Sequence, residues 1–517
     1  YDRSLGGWLR LDYFWMSWTL SCLKLKSLYD QVELFTDESG AELLIDKLNL
    51  PYTKVTIALN EVDHYHEDLW AVGKLYTYGL QNEPFLHVDG DIFLWSRFDF
   101  PIVDAPFVTQ SLDDNLSFYH PILNQVEEHF SYTPKYIKQQ RDKSDKILAC
   151  NAGIFGGSNL EFIQAFAKEA FKFIHENTSA LSRINVGYFN CIYEQYLSYC
   201  MAIDSGIEPT FALDYIPHNE GNIASLIGVP AKTAYVHPTN LAKKDHKICD
   251  QIEIRLKMEY PEWYETVRNL TEEYSKTVFA TSQSTATFSN NLAWLRKRYQ
   301  RTIQLIQSLD IDSFNEFLNT PAEDLRKEFL RWSQSVSKSL GKEYSIKLND
   351  ALRLEVSIDN LKRAYSMGRP DDQSNEKEDY QNRQNLFNVP DEKFLDQTLL
   401  MNDEIKVLKT KFNWSGNVNL PMVEGGFWVA LVVRPDHQVR EIWCGQEIKI
   451  IDYFKQPNTA KKILKQISRD ISNHKFSRKE FDQVIVRGIK EFIAAYILNI
   501  TETEEQFSNP LTLSNNL

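Results

Sequence analysis

The chain has 517 residues, of which 43% are hydrophobic and 25% are charged. This length predicts about two to four globular domains. The composition excludes a wholly disordered or fibrous protein. The formal net charge of −14 disfavours a nucleic-acid-binding protein, because the phosphate backbone attracts clustered lysine and arginine. The sequence has no apolar run of about 18 residues, so we expect no membrane span. The six cysteines are scattered without a Cys-x-x-Cys pair, which argues against a disulfide framework or a zinc site and predicts a cytoplasmic protein.

Residues 1–268 contain alternating amphipathic and apolar segments that predict an α/β domain. The predicted elements are helix 12–29, strand 32–36, helix 41–48, strand 52–57, helix 67–80 and strand 85–88. Because helices separate the strands, we expect a mostly parallel sheet with helices on its faces.

Residues 269–415 differ in character and are predicted to form a helical spacer. Apolar residues three or four positions apart predict a helix within 290–309. Thr320 is a predicted N-cap, because a proline and a glutamate follow at the first and third helical positions. The polar, charged stretch 368–391 is predicted to be a surface loop or linker.

Residues 416–500 are predicted to form a small, winged-helix-like α+β domain. The predicted strands are 427–433 and 439–443, and the predicted helices that follow them are 447–454, 459–468 and 477–498. The polar residues 501–517 are predicted to be a tail.

The most informative motif is a pair of aspartates that ends an apolar strand. Asp89 and Asp91 follow strand 85–88 directly, with Gly90 between them. In open α/β sheets ligands bind beyond the carboxyl ends of the strands. Two carboxylates suit Mg²⁺ or Mn²⁺, which can neutralise a diphosphate. The alternative interpretation is an acidic β-turn without a ligand, because Asp-Gly is a common turn pair.

Several segments of residues 1–268, taken in order, resemble those of GT-A glycosyltransferases, the nucleotide-sugar-dependent family with an Asp-x-Asp motif. The helix 69–80, which carries Lys74, precedes the motif. The segment 149–157 (ACNAGIFGG) is similar to the Asn-x-Gly strand-loop of many such enzymes, and a strand ending at His237 looks like their C-terminal His…Lys element. Taken alone, the segment 149–157 is equally well interpreted as a tight strand-to-helix turn. A single histidine such as His237 is more often a structural residue than a metal ligand.

The resemblance implies a role for each matching residue. Asp89, Asp91 and His237 would hold Mn²⁺ or Mg²⁺. The residues implied in binding the nucleotide sugar are Lys74, Asp89, Asn151, Gly153, Gly156, Gln195, Lys243 and Lys244. Where the family usually has a glycine soon after the histidine, this chain has Pro238 and Thr239, which leaves the choice between the two lysines open.

A carboxylate near the reacting sugar can support an oxocarbenium-like transition state or deprotonate the acceptor. Glu194 and Asp91 are the candidate catalytic residues. Glu194 stands beside Gln195 on a predicted helix, and an apolar-flanked Glu-Gln pair recurs in related transferases. The alternative for Glu194 is an ordinary helix-surface glutamate. Asp113 and Asp114 are weaker candidates for the catalytic carboxylate, and we interpret them as part of a turn.

The C-terminal order of two strands and three helices resembles a PqqD-like recognition element, a winged-helix module of enzymes that modify ribosomally made peptides. In that module a leader peptide adds to the sheet edge as a strand and packs against the last helix. The peptide-binding residues implied by the resemblance are Val439, Ile442, Phe481 and Val484. The alternative is an α+β appendage that packs against the helical middle of the chain.

Together, these features predict a metal-dependent glycosyltransferase that uses a UDP-linked nucleotide sugar. Its predicted acceptor is a Ser, Thr or Cys side chain of a ribosomally made precursor peptide, held by the C-terminal domain. One alternative is a glycosyltransferase of polysaccharide or glycan synthesis with a structural C-terminal domain. The other is a non-catalytic scaffold that binds a sugar nucleotide or a peptide.

Overall fold

The computed structural model describes residues 5–114, 117–213, 221–231, 233–280, 286–309, 311–320, 324–366, 376–415, 424–434, 438–470 and 477–501. The chain divides into two compact units. Unit A comprises residues 15–225 and 234–242, and unit B comprises residues 1–14, 226–233 and 243–517. Within the described ranges, no helix is long and apolar enough to cross a membrane.

Unit A alternates helices with short strands, as the sequence predicts. Its strands are β1 Glu33–Thr36, β2 Lys54–Ile57, β3 Phe85–Val88, β4 Phe93–Leu94, β5 Val108–Asp114, β6 Leu148–Gly157, β7 Thr210–Phe211 and β8 Tyr235–Val236. Its α-helices are α1 Leu11–Leu28 (whose first residues belong to unit B), α2 Glu38–Ala41, α3 Val72–Leu80, α4 Phe100–Val103, α5 Tyr119–His129, α6 Lys135–Lys143, α7 Leu160–His175, α8 Val186–Asn190, α9 Leu197–Asp204 and α10 Gly221–Ala224. Single-turn 3₁₀ or π segments lie at Glu42–Lys47, Leu59–Val62, Thr178–Arg183 and Cys191–Tyr196.

The described strands of unit A form three small sheets. β1 and β2 pair in parallel, β4 and β8 pair antiparallel, and the largest sheet has the order β3-β6-β5-β7. In that sheet β6 is antiparallel to both β3 and β5, and β7 is parallel to β5. The predicted α/β class is therefore confirmed as a mixture of helices and strands, but the predicted mostly parallel sheet is wrong. Alternation of helices and strands leaves strand direction open, because a long connection can return the chain in either direction.

The strand β6 is the centre of the unit A core. Most of its side chains are buried, as expected for a strand covered on both faces. Phe155 of β6 stacks on Tyr78 of α3 with ring centroids 4.3 Å apart, and it also contacts Phe166 of α7. The neighbouring strand β5 contains Asp113 and Asp114, so the interpretation of these aspartates as a turn is wrong: both pair with β6 in the sheet.

Unit B is mainly helical and carries two antiparallel sheets among its described residues, with the orders β10-β11-β12 and β13-β9-β14. Its strands are β9 Thr398–Met401, β10 Ile405–Phe412, β11 Glu424–Val433, β12 Val439–Cys444, β13 Asn458–Thr459 and β14 Leu498–Thr501. Its α-helices are α11 His246–Glu259, α12 Pro261–Ala280, α13 Ala286–Arg298, α14 Gln300–Ser308, α15 Asp312–Asn319, α16 Leu325–Ser339, α17 Lys342–Ser366, α18 Glu376–Asn385, α19 Asp391–Phe394, α20 Ala460–Asp470 and α21 Arg478–Ala494. Further 3₁₀ segments lie at Asn240–Lys244 (whose first three residues belong to unit A), Leu386–Asn388 and Gln446–Phe454.

Two helix boundaries in unit B differ from the prediction. The stretch 290–309 forms two helices, because the backbone leaves the helical region at Tyr299. Thr320 ends α15 and is not an N-cap. Asp324 is the N-cap of α16 instead, since its side chain accepts a hydrogen bond of 3.1 Å from the Lys327 N–H.

The polar stretch 368–391 is not a loop throughout. Its residues 376–385 form α18, which buries Tyr380 and Gln384, and its residues 368–375 lie outside the described ranges. The helical part predicted at 269–415 also contains β9 and β10. The domain boundaries after residues 268 and 415 stay predictions, and nearly all of the predicted tail lies beyond the described residues.

Candidate metal centre

The two aspartates lie on a tight turn that directly follows β3. The Ile92 N–H donates to the Asp89 carbonyl at 3.0 Å, and the Ser17 hydroxyl donates to the Gly90 carbonyl at 3.0 Å. The Trp18 indole packs against this turn and leaves no room for a side chain at Gly90, because a Cβ there would lie 2.7 Å from the ring. The acidic β-turn of the alternative interpretation is thus present, and it fixes both carboxylates at the end of the strand.

His237 reaches the same place through the pairing of β4 with β8. Phe93 pairs with Val236, so the antiparallel register brings the residue after Val236 beside the residues just before Phe93. The His237 N–H donates to the Ile223 carbonyl at 2.7 Å, which fixes the backbone where β8 ends. A short two-stranded ladder therefore joins an aspartate and a histidine that are 146 positions apart in the sequence, between 91 and 237.

Asp89, Asp91 and His237 form a group that could hold a metal ion. Each offers one ligand atom, and these atoms all lie within 4.8 Å of one another. Two ligand atoms of one Mg²⁺, with bonds of about 2.1 Å, are separated by about 3–4 Å. Small side-chain adjustments would therefore bring all three ligand atoms within bonding distance of one ion. The arrangement fits a divalent cation that takes two carboxylate oxygens and one imidazole nitrogen.

The proton on His237 is placed by Gln110. The Gln110 Oε1 accepts from the Tyr235 hydroxyl and from His237 Nδ1, both at 2.7 Å. A carbonyl acceptor at Nδ1 puts a proton on that nitrogen, so Nε2 carries the lone pair when the imidazole is neutral. That Nε2 lies 3.3 Å from Asp91 Oδ1. A nitrogen lone pair facing a carboxylate oxygen at this distance is the arrangement that a cation between them would stabilise.

Gly153 of β6 makes room for this pair. A Cβ at this position would overlap the Gln110 carbonyl oxygen and lie 2.7 Å from His237 Cε1. The β5–β6 register is irregular between Thr109 and Ser111, which is where Gln110 lies. Irregularities of this kind redirect side chains next to functional sites. The predicted Gly153 is thus part of the site, because its lack of a side chain lets Gln110 and His237 meet.

Asp89 is held by a neighbouring lysine and a neighbouring histidine. Lys74 Nζ lies 2.9 Å from Asp89 Oδ1 and 3.1 Å from Oδ2, and His87 Nε2 lies 2.9 Å from Oδ1. Burial alone would raise the pKa of Asp89, but Lys74 and then His87 outweigh it, so the net pKa is lowered. Asp89 is therefore ionised near neutral pH, as a metal ligand must be.

Glu194 lies behind Lys74 on the π-helical segment 191–196. Its side chain has no exposed area, and its Oε1 lies 3.3 Å from Lys74 Nζ and 3.4 Å from the Tyr78 hydroxyl. Burial raises the pKa of Glu194 to about 7, against the opposing effect of Lys74. The interpretation of Glu194 as a helix-surface residue is wrong, because the apolar residues around it in the sequence place this helix in the core.

The stability of the protein should therefore depend on the protonation of Glu194. An unfolded glutamate titrates near pH 4.3, so the native state binds this proton more tightly than the unfolded chain. The free energy of unfolding should fall as pH rises from about 5 to 7, by about 2 kcal/mol from this residue. We expect Glu194→Gln to make that fall shallower in urea unfolding curves recorded in EDTA at pH 5, 6, 7 and 8. Glu161→Gln, on the exposed first turn of α7, is the matched control; equal slopes in the two variants would contradict the expectation.

The other predicted donor-binding residues of unit A have local partners. Asn151 Oδ1 accepts from the Gly153 N–H at 3.1 Å, and Gln195 Oε1 accepts from the Tyr119 hydroxyl at 3.1 Å. Gly156 has a φ of +156°, and a Cβ there would overlap the Phe85 carbonyl of the neighbouring strand. Gly156 is therefore required by the pairing of β3 with β6. The whole segment 149–157 lies within β6, so its alternative interpretation as a tight strand-to-helix turn is wrong.

The remaining predicted residues lie in unit B. Lys243 Nζ donates to the Gly6 carbonyl at 3.4 Å and lies over the Trp8 ring, and Lys244 follows it on the same 3₁₀ segment. Among the predicted peptide-binding residues Val439 is buried, Ile442 and Phe481 are half-buried, and Val484 is 56% exposed. β12, which carries Val439 and Ile442, is an edge strand of its sheet among the described residues.

Two residues of the site were missed by sequence reasoning. His87 precedes Asp89 by two positions, and alternate residues of a strand share a face, so this pattern could have identified it. Gln110 has no such signal, because its position depends on an irregular strand register.

The comparisons with known proteins identify one family. The model of DUF6734, described as a family of unknown function, matches residues 1–270. No curated protein and no solved structure matches the chain. The matched range includes the three candidate metal ligands.

Proposed function

Because the chain belongs to the DUF6734 family, whose function is unknown, we propose its function from the site: a metal-dependent glycosyltransferase that uses a nucleotide sugar. The observation that supports this most is the convergence of Asp89, Asp91 and His237 within 4.8 Å. Two aspartates in an Asp-x-Asp turn after a strand, completed by a distant histidine, are the ligand set that the GT-A resemblance implies. The proposed fold of unit A is accordingly GT-A-like, and its mixed sheet with the acidic turn after β3 is compatible with that proposal.

The donor set favours Mn²⁺ over Mg²⁺ as the bound ion. Carboxylates suit both ions, but an imidazole nitrogen is a better ligand for the softer transition metal. When bound, the ion would neutralise the charge of the departing nucleoside diphosphate. The protein contributes the orientation of the ligands: Gln110 holds the His237 tautomer, and Lys74 keeps Asp89 ionised.

Glu194 is proposed to act through Lys74. A side chain with no exposed area does not reach an acceptor hydroxyl in this conformation, whereas its 3.3 Å contact fixes the ammonium beside Asp89. This makes Glu194 a positioning residue. Asp91 is the predicted catalytic carboxylate that lies in the metal group itself.

The proposed acceptor is a Ser, Thr or Cys side chain of a ribosomally made peptide. Support comes from unit B, where β12 is an edge strand in the sheet that the described residues form and where Val484 of α21 exposes an apolar side chain. A strand at the edge of a sheet can take an added peptide strand. There are two alternatives: a glycosyltransferase with a glycan acceptor and a structural unit B, and a scaffold without catalytic activity. The experiments below distinguish them.

The test is a thermal-shift screen of the full chain with nucleotide sugars, each with and without Mn²⁺. A ligand that binds only the native state stabilises it by about 2.7 kcal/mol at 100 times its dissociation constant. We expect one nucleotide sugar, UDP-linked, to raise the melting temperature in the presence of Mn²⁺ and to have little effect in EDTA. A screen in which no nucleotide sugar shifts the melting temperature would contradict the proposal.

The donor found in this screen then identifies the acceptor class. Incubation with peptides encoded by genes next to this one, followed by mass spectrometry, should show a gain of one glycosyl group on Ser, Thr or Cys. Transfer to saccharides alone would support the glycan alternative. Donor binding with neither transfer nor donor hydrolysis would support the scaffold.

A further inference from the structure

A pocket in unit B is lined by several cationic and aromatic side chains. Its charged and aromatic lining consists of Lys247, Asp250, Tyr380, Arg434, Arg440 and Tyr496. These residues come from α11, α18, β12 and the chain just after β11 and α21. None of these six residues belongs to the candidate metal centre, but Ile442, one of the predicted peptide-binding residues, also lines the pocket.

The guanidinium of Arg434 is the unusual group in this pocket. Arg434 is only 3% exposed, and its Nε and Nη2 have no hydrogen-bond partner within the part of the chain that the structure describes. No carboxylate among the described residues forms an ion pair with it. Buried charges in proteins are normally paired, and a side chain that cannot lose its proton has no other way to reduce the cost of burial. The missing partner is therefore an anion.

The acidic residues nearby are engaged by other groups. Asp250 accepts from the Tyr13 hydroxyl at 3.1 Å and lies 3.7 Å from Arg440 Nη1. Glu253 lies 2.9 Å from the same Arg440 nitrogen. The pocket lining thus has an excess of positive charge that is located on Arg434 and Lys247.

The orientation of Arg434 is fixed by an aromatic ring. Its guanidinium carbon lies 4.5 Å from the centre of the Tyr496 ring. A guanidinium that stacks on a ring keeps its N–H groups in its own plane and free of the ring. Two of these N–H groups can then donate in parallel to two oxygens of a carboxylate or phosphate. We propose that this pocket binds an oxyanion, a carboxylate or a phosphate group, through Arg434.

The proposal is tested on the full chain in EDTA, with sodium phosphate and sodium acetate as probes against sodium chloride of equal ionic strength. We expect at least one oxyanion to raise the melting temperature by about 2–4 °C relative to chloride. Arg434→Met should melt at a higher temperature than the wild type without the probe, because it removes a buried unpaired charge. The same variant should lose the oxyanion-dependent increase. A response to acetate alone identifies a carboxylate ligand, and a response to phosphate alone identifies a phosphate ligand.

Arg383 provides the matched control, since it also stacks on Tyr496 but is paired with Asp379 at 3.0 Å. Arg383→Met should melt at a lower temperature than the wild type and keep the oxyanion response. If Arg434→Met does not fold, Arg434→Lys, which keeps the charge but loses the fork, should reduce the response by at least about half. The proposal is overturned if neither probe shifts the wild type, or if the Arg434 variant that folds responds as the wild type does.

Discussion

Replacing Asp91 by Asn is expected to weaken Mn²⁺ binding by about 100-fold or more. The substitution keeps the size of the side chain but removes the negative charge that faces His237 Nε2 at 3.3 Å. Loss of residues that only orient metal ligands already costs about 10–100-fold in affinity, so loss of a ligand should cost at least as much. The electron paramagnetic resonance signal of free Mn²⁺, followed during titration of the full chain, measures this affinity directly.

Asp114→Asn is the control for this prediction. Asp114 is a carboxylate of the same unit, on β5, and it pairs with Lys146 at 3.0 Å. We expect this variant to bind Mn²⁺ as the wild type does. An unchanged Mn²⁺ affinity in Asp91→Asn would show that the cluster around residue 91 is not a metal site.

The ligand group could be predicted from the sequence because each ligand follows an apolar strand. Asp89 comes directly after β3, and His237 comes directly after β8. Strand ends are visible in the sequence as the point where an apolar run meets polar residues. Residues placed at such points need only the correct pairing of strands to converge.

The residues that support the ligands could not be predicted in this way. Gln110 reaches His237 only because the β5–β6 register is irregular beside it, and Gly153 is needed only because those two side chains meet there. Such relations depend on strand register, which neither propensity nor spacing specifies. The strand directions of unit A were missed for the same reason, since β6 pairs with strands that are remote from it in the sequence.

In unit B, the sequence predicted the regular elements and missed those held by tertiary contacts. β11, β12 and α21 were predicted closely, and α21 begins at a Ser477–Glu480 capping box. In contrast, α18 has a polar, charged sequence, and it is helical where Arg383 donates to the Ile493 and Leu498 carbonyls. Partners more than 100 positions away stabilise this helix, so its local composition indicated a loop.

Replacing Lys74 by Met should destabilise the protein by about 3 kcal/mol at pH 8. Lys74 Nζ lies between Asp89 Oδ1 at 2.9 Å and Glu194 Oε1 at 3.3 Å. Removing one partner of a buried ion pair leaves an uncompensated charge and costs about 3–5 kcal/mol. Because the Lys74 side chain keeps 17% of its exposure, we expect a value at the lower end. Urea unfolding in EDTA measures the change, and Lys146→Met, which breaks the more exposed pair with Asp114, should cost less than about 1 kcal/mol.

The loss should depend on pH, which distinguishes a charge effect from a cavity. Without Lys74, the pKa of Glu194 should rise above its native value of about 7, because the opposing effect of the ammonium is gone. At pH 5.5 Glu194 is protonated in both proteins, so the difference in unfolding free energy should shrink there. Adding Glu194→Gln to Lys74→Met should restore part of the stability at pH 8, since it removes one of the two negative charges left behind. A loss that is equal at both pH values and unaffected by Glu194→Gln would mean that Lys74 stabilises the core by packing alone, and that it does not hold Asp89 ionised for a metal.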